Sequence, residues 1–198
     1  MSRTDPIPNG LLRAARARLR LPFPRDRRAS VAVEAGLTLT LLAFAALAAF
    51  DGARYLKLMA RADRVAGNLA DIASRSDVLR DRPVFDAASL PNDTGTLFEL
   101  SRLMLDAPGA GIIVSGVRGS GTGHAVAWTR AAPELDPGEA RVAHVGALPA
   151  GAEFVVAEVI VPFVPVALDV SGLGIGGRIY SRAVFRTRHG GPAMLEAE

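Results

Sequence analysis

The longest apolar stretch of the chain covers residues 31–50 and contains one charged side chain, Glu34. Twenty residues in a helix extend roughly 30 Å, which matches the hydrocarbon thickness of a bilayer. A helix in the core of a soluble domain usually keeps a polar face, whereas residues 35–50 offer only two threonines. The stretch therefore predicts a membrane-spanning helix, with a buried core helix as the alternative.

The helical pattern continues beyond Phe50, because polar residues recur there at alternating steps of three and four. These residues are Arg54, Lys57, Arg61, Arg64, Asn68, Asp71 and Arg75. The opposite face carries Leu56, Met59, Ala62, Ala66, Leu69 and Ala73. The pattern predicts an amphipathic extension that ends near Ser76, before Pro83, with Asp71 and Arg75 as an i,i+4 pair. Its apolar face can pack on the chain's own globular part or on a partner helix, and the pattern leaves both open.

From Asp81 onward the pattern changes to short segments separated by glycine and proline, which predicts a small mixed domain. A helix is expected over residues 95–106, with Thr96 and Glu99 spaced as a capping box near its start. Its predicted apolar face consists of Leu97, Leu100, Leu103 and Met104.

Four segments have the composition of strands. Residues 112–117 and 125–129 are joined by a glycine-rich turn at 119–123, and residues 154–161 form a stronger strand, rich in valine. Near the C-terminus, Ala183, Phe185 and Thr187 alternate with Arg182, Arg186 and Arg188. This alternation predicts a sheet with one buried face and one solvated, partly cationic face.

Together these elements predict the α+β class, in which a long N-terminal membrane-spanning helix continues into a small domain with an antiparallel sheet and one or two helices. Three segments follow along the chain. Residues 1–29 form a basic leader, residues 30–80 the transmembrane helix with its amphipathic extension, and residues 81–198 the α+β domain.

Positive charge is concentrated in the leader, which holds eight arginines and two acidic residues and so carries +6 in a chain of net charge +3. A body that binds nucleic acid is not expected, because phosphate binding needs a concentrated cationic face. Cytoplasmic flanks of membrane helices collect arginine and lysine, so the leader is expected inside and residues 81–198 outside. A soluble DNA-associated protein with a basic arm is an alternative that requires residues 31–50 to be buried.

Candidate catalytic and binding motifs fail on their context. Gly172, Gly174 and Gly177 satisfy G-x-G-x-x-G, but strand-like residues follow them instead of the helix of a dinucleotide-binding unit. No histidine is spaced with another histidine or a carboxylate as metal ligands, and the chain has no cysteine. We therefore expect no catalytic, cofactor or metal site, and a non-enzymatic protein.

Glu34 requires an explanation, because a carboxylate within an apolar span is unfavourable, by about 2.5–3.5 kcal/mol at the centre and less near the end. A cut between Ala29 and Ser30 would make Glu34 the fifth residue of the product. The new α-amino group is mostly cationic at neutral pH, and a carboxylate one turn along lowers the free energy of burying it. The alternative is that Glu34 lies at the headgroup level beside Arg27 and Arg28.

This arrangement resembles the class III signal of type IV prepilins, in which a small residue precedes the cut and glutamate stands fifth after it. The chain is similar more widely to the TadE/TadG-like pilus-assembly proteins of the tight-adherence, or Flp pilus, system. The resemblance rests on residues 27–34 with the apolar run, and on the strand-like blocks 154–163 and 180–188. Ala29 stands in place of the usual glycine, and Ala35 occupies a place often taken by a larger residue.

The resemblance implies a short, TadE-type pseudopilin of the bacterial inner membrane, with its N-terminus in the cytoplasm and its C-terminal domain in the periplasm. The implied partners are the membrane bilayer, a prepilin peptidase, and helices of pilins and sister pseudopilins. The alternative is a membrane-anchored periplasmic hydrolase or binding protein, in which the span is only a tether. Cleavage after the alanine-rich residues 43–49, as in a secretory signal peptide, also stays open.

Overall fold

The computed structural model describes residues 27–166, 177–188 and 194–197. Their helices and strands are, in chain order, α1 (Arg27–Arg75), β1 (Val78–Asp81), α2 (Thr94–Leu105), β2 (Gly111–Gly119), β3 (His124–Ala131), β4 (Glu153–Phe163), β5 (Gly177–Arg186) and β6 (Met194–Ala197). Two 3₁₀ turns, Pro137–Glu139 and Val142–His144, lie between β3 and β4. These elements agree with the predicted α+β class.

The chain forms two compact units, Met1–Ala46 and Leu47–Glu198, which we call the N-terminal and C-terminal units. The described residues of the N-terminal unit are all helical. The C-terminal unit holds the later turns of α1 and all other elements. As predicted, the helix continues past Phe50. It ends at Arg75, where the Ser76 N–H donates to the Ala73 carbonyl at 3.3 Å in a tightened last turn.

In the C-terminal unit, the later turns of α1 pack on one face of the sheet. Four fully buried alanines allow a close approach, and Val65 and Leu69 fill the space beside them; the alanines are Ala62, Ala66, Ala70 and Ala73. They belong to one cluster with sheet residues that include Ile112, Val114, Val155, Ala157, Val159, Val161 and Ile179. The amphipathic extension therefore packs on the chain's own domain, which is one of the two partners that the pattern allowed.

The predicted apolar face of α1 is wrong at its beginning. Leu56 and Met59 are 64% and 40% exposed, whereas Leu58 packs against the cluster. The buried stripe runs from Leu58 through Ala62, Val65 and Leu69 at steps of four and three. Leu56 and Met59 lie about 160° and about 100° around the helix from Leu58, away from this stripe, and are not covered.

The main sheet has the strand order β3-β2-β4-β5, and all of its neighbouring strands are antiparallel. Strands β2 and β4 are buried on both faces. The face opposite α1 is covered by the β3–β4 connection, in which Val142 and Val145 pack on Val117 and Val156. The predicted solvated face is therefore wrong for the two central strands. Coverage on both sides explains the continuous valine run of β4.

On the edge strand β5 the predicted cationic face is confirmed, since Arg182 and Arg186 are exposed, as is Arg188 two residues beyond the strand. The opposite face is buried at Ile179 and half-buried at Ala183. Phe185, predicted on the buried face, is 37% exposed. It lies near the end of this edge strand, opposite Val155 of β4.

A second, two-stranded sheet pairs β1 with β6 in parallel, with Val78 opposite Met194 and Asp81 opposite Ala197. The sequence pattern did not predict this pair, because each strand has only four residues. Arg130 of β3 donates from Nε to Asp81 at 2.7 Å and so links the two sheets.

Helix α2 corrects two predictions. The capping box is absent, because Thr96 Oγ1 donates to the Leu90 carbonyl at 2.7 Å, while the N-cap residue Asp93 accepts from the Leu90 N–H at 2.7 Å. The buried face consists of Leu97, Phe98, Ser101 and Leu105, and Leu100, Leu103 and Met104 are exposed. Gly95 sets this rotation, because its N–H donates to the Arg82 carbonyl at 2.7 Å and an added Cβ would lie 2.8 Å from that oxygen.

Candidate functional site

The predicted cleavage bond, between Ala29 and Ser30, lies within helix α1, whose described residues begin at Arg27.

Ser30 and Glu34 lie on the same side of α1. They are four residues apart in continuous helix, which places their Cβ atoms about 5–6 Å from each other. Both residues are exposed. A carboxylate at Glu34 is thus within one helical turn of the nitrogen that a cut before Ser30 would free, as the processing hypothesis requires.

The apolar run after Glu34 is uncovered in this chain. Among the described residues, one helical segment, Ser30–Arg75, is long and apolar enough to cross a membrane. No part of its most apolar stretch is buried. Its large side chains are mostly more than half exposed; these are Val31, Val33, Leu37, Leu39, Leu41, Leu42, Phe44 and Phe50. Exposed apolar area is unfavourable in water by about 25 cal/mol per Å². The run is therefore a candidate membrane-spanning segment.

The two threonines of the run are compatible with an apolar surrounding. Thr38 Oγ1 donates to the Glu34 carbonyl and Thr40 Oγ1 donates to the Gly36 carbonyl, each at 2.8 Å. Both hydroxyl donors are therefore satisfied within the helix. These hydrogen bonds offset most of the unfavourable free energy of transferring the hydroxyl groups into lipid.

The first charged residue after the run, Asp51, is only 8% exposed. Its Oδ1 accepts the N–H of Val166 at 3.1 Å and lies 3.3 Å from Arg54 Nη1. The Arg54 guanidinium carbon lies 6.0 Å from the ring centroid of Phe50 and 5.9 Å from that of Phe163. In the sequence Asp51 marks only the end of the apolar run, because its partner Val166 lies 115 residues away.

A second buried carboxylate, Glu158, lies on the covered face of β4 and is fully buried. Both of its oxygens accept the Arg141 N–H at 3.1 Å, and the Tyr180 hydroxyl donates to Oε1. Burial raises the pKa of Glu158, opposed in part by the hydrogen bond from Arg141 and by the positive charges of Arg182 and Arg141. The only sequence signal for this site is one acid within a valine-rich strand.

We expect Glu158→Gln to change how stability depends on pH. A folded-state pKa above the ordinary 4.5 means that the folded chain binds this proton more tightly than the unfolded chain does. Stability from this group is therefore fully present below pH 4.5 and is lost as the pH rises through the raised value. Denaturant unfolding at several pH values should show that the free energy of unfolding of the variant rises relative to that of the wild type as the pH approaches neutrality. Glu134→Gln, at an exposed position, should show no such trend, and equal trends would contradict the assignment.

A cavity of about 350 Å³ lies beside α2 and is lined by Val84, Phe85 and Phe98 among others. On its wall, Arg102 Nε lies 3.1 Å from Glu99 Oε2, so these two charges compensate each other. Among the residues that the structure describes, no group of three or more histidine, aspartate or glutamate side chains could hold a metal ion. The arrangement with the most specific geometry is therefore the exposed apolar helix that carries Glu34 one turn after Ser30.

No protein-family model, curated protein or solved structure matches this chain.

Proposed function

We propose that this chain is a non-enzymatic, single-span, pseudopilin-like component of tight-adherence pilus assembly in the bacterial inner membrane. One observation carries the proposal. The apolar run 31–50 is uncovered in the chain, and its single carboxylate, Glu34, lies one helical turn after Ser30. The alternative, a hydrolase or binding protein that uses the span only as a tether, explains the apolar run but assigns no role to a carboxylate at this position.

In this function a prepilin peptidase cuts between Ala29 and Ser30 and removes the arginine-rich leader. The span stays attached, because the cut lies on its cytoplasmic side. The freed amine then lies near a carboxylate, either Glu34 of the same chain or that of a neighbouring subunit in the assembly. The charge pair lowers the free energy of burying both groups at the membrane edge.

The packing of α1 limits where partner helices can bind. Its turns from Ala62 to Ala73 are covered by the sheet of the same chain. Helices of pilins or sister pseudopilins are therefore proposed to pack on residues 31–50 within the bilayer, where the apolar side chains are uncovered. The leader lies in the cytoplasm and the sheet in the periplasm, in line with the positive charge of residues 1–29.

The test is Glu34→Ala in the full chain. We expect the variant to remain in the membrane fraction during alkaline carbonate extraction but to lose assembled filaments, because the amine has no counter-charge. Thr38→Ala, one turn further along the same helix, is the matched control and should assemble normally. Normal piliation of the Glu34 variant would contradict the proposal.

The intact mass of the membrane-purified chain tests the processing step. The wild type is expected to begin at Ser30, and Ala29→Phe should retain residues 1–29, because a bulky side chain does not fit the place of a small one before the cut. If both chains keep residues 1–29 and differ in mass only by the substitution, no cut occurs there. A full-length, membrane-bound wild type would favour the tethered hydrolase or binding protein, and release by carbonate would favour a soluble protein.

A further inference from the structure

The connection after β4 presents two apolar side chains to the surroundings. The strand ends at Phe163, which is 4% exposed and packs edge-on against the ring of Tyr55 with centroids 5.3 Å apart. Val164 and Val166, which follow, are 72% and 71% exposed, the highest values among the large apolar side chains that the structure describes. Their exposure begins abruptly, directly after a buried aromatic anchor.

The backbone of this connection is suited to an apolar surrounding. The Val166 N–H donates to Asp51 Oδ1 at 3.1 Å, and Pro165 has no N–H. Two consecutive residues therefore present no free donor. This matters in lipid, where no water is present to accept a hydrogen bond from an unsatisfied backbone N–H.

The connection lies at the level of α1 where the apolar run ends. Asp51, which holds Val166, directly follows Phe50, and both Phe50 and Leu47 of the same compact unit are exposed. Three residues further, the Arg54 guanidinium lies about 6 Å from the rings of Phe50 and Phe163. Aromatic rings with an arginine that extends toward water are typical of the boundary between acyl chains and headgroups.

We propose that Val164 and Val166 insert into the outer leaflet of a phospholipid bilayer, at the boundary between headgroups and acyl chains, and give the C-terminal unit a second contact with lipid. This inference rests on the proposed membrane anchoring by residues 31–50. Arg54 then lies at the level of the lipid phosphates, to which it can donate hydrogen bonds. Burial of two valines adds to the contact made by the apolar run and does not anchor a protein by itself.

Depth-dependent fluorescence quenching tests the proposal on the full chain. The sequence has no cysteine, so single cysteines can be labelled without removing others. Val166→Cys is labelled with a polarity-sensitive fluorophore in vesicles of phosphatidylethanolamine and phosphatidylglycerol that carry a nitroxide at a shallow acyl position. Leu42→Cys, in the middle of the apolar run, is the lipid-exposed reference. Val126→Cys is the matched control, because Val126 is 50% exposed and lies near the opposite end of the sheet, where it pairs with Val117 and Val117 pairs with Phe154, nine residues before Phe163 along β4.

We expect blue-shifted emission and quenching at Val166 that is several times stronger than at Val126, and the same result for Val164→Cys. Quenching at Leu42 with none at Val164 and Val166 would overturn this inference and leave the membrane anchoring intact. Absence of quenching at all four positions would overturn both.

Discussion

Replacing Leu69 with alanine is expected to lower the free energy of unfolding of the C-terminal unit by about 2–5 kcal/mol. Leu69 is 2% exposed and lies among Ala62, Ala66 and Ala73 of α1 on the inner face of the sheet. The variant loses the transfer free energy of the buried side chain and leaves a cavity. The neighbouring alanines cannot fill it, because their side chains end at Cβ.

Denaturant unfolding of the full chain in detergent micelles measures this loss. The fluorescence of Trp128, the single tryptophan, reports on the cluster because its side chain packs against it. Leu56→Ala is the matched control on the same helix, since Leu56 is 64% exposed, and its effect should stay within about 0.5 kcal/mol. Equal losses for the two variants would contradict the packing of α1 on the sheet.

Gly119→Ala is expected to lower the free energy of unfolding by about 1–3 kcal/mol, because it overpacks a place where two backbone segments touch. An added Cβ would overlap the Pro149 carbonyl oxygen and lie 2.9 Å from the carbonyl carbon of Leu148. Neither segment is free to move apart. The Gly119 N–H donates to Ala152 at 2.8 Å, and the Gly151 N–H donates to the Gly119 carbonyl at 3.0 Å.

Gly146→Ala is the control, because an added Cβ there meets no atom within 4 Å. Its stability should stay within about 0.5 kcal/mol of the wild type. Limited proteolysis gives a second readout, since displacement of the Pro149 segment in the Gly119 variant should expose it to cleavage. An unchanged unfolding midpoint and cleavage pattern for Gly119→Ala would contradict the close approach.

Most of the elements could be predicted from local pattern. The apolar run and the polar stripe after Phe50 predicted the end of α1 to within a residue of Arg75. The four strands of the main sheet were predicted at their correct places because each combines β-branched residues with flanking turn residues, whereas the short strands β1 and β6 were not predicted. Local pattern is sufficient for these features because they depend on residues close together in the sequence. A helix forms hydrogen bonds between residues four apart, and a strand favours β-branched side chains.

The faces of those elements were predicted less well. On α2, the sequence carries apolar residues on more than one side, and the close approach of Gly95 to the Arg82 carbonyl determines which side is buried. On β4, the second buried face depends on the β3–β4 connection, whose Val142 and Val145 show no strand or long-helix period. Both outcomes depend on contacts between segments that are not adjacent in the sequence.

The candidate site divides in the same way. The positions of Ala29, Ser30 and Glu34 follow from the sequence, because a charge at a fixed spacing within one helix needs no tertiary contact. The buried carboxylate Glu158 with Tyr180, and the bond from Val166 to Asp51, could not be predicted. Their partners come from other strands or from the other end of the chain.

The sequence by itself determined that an apolar helix with one early carboxylate precedes a small α+β domain, since hydropathy and helical period are properties of consecutive residues. Only the tertiary structure decided that the turns from Ala62 to Ala73 are covered by the sheet while the apolar run is not. It also decided that Val166 lies beside Asp51, 115 residues earlier. Burial depends on which distant segments contact each other, and the local periodicity of the sequence does not specify those contacts.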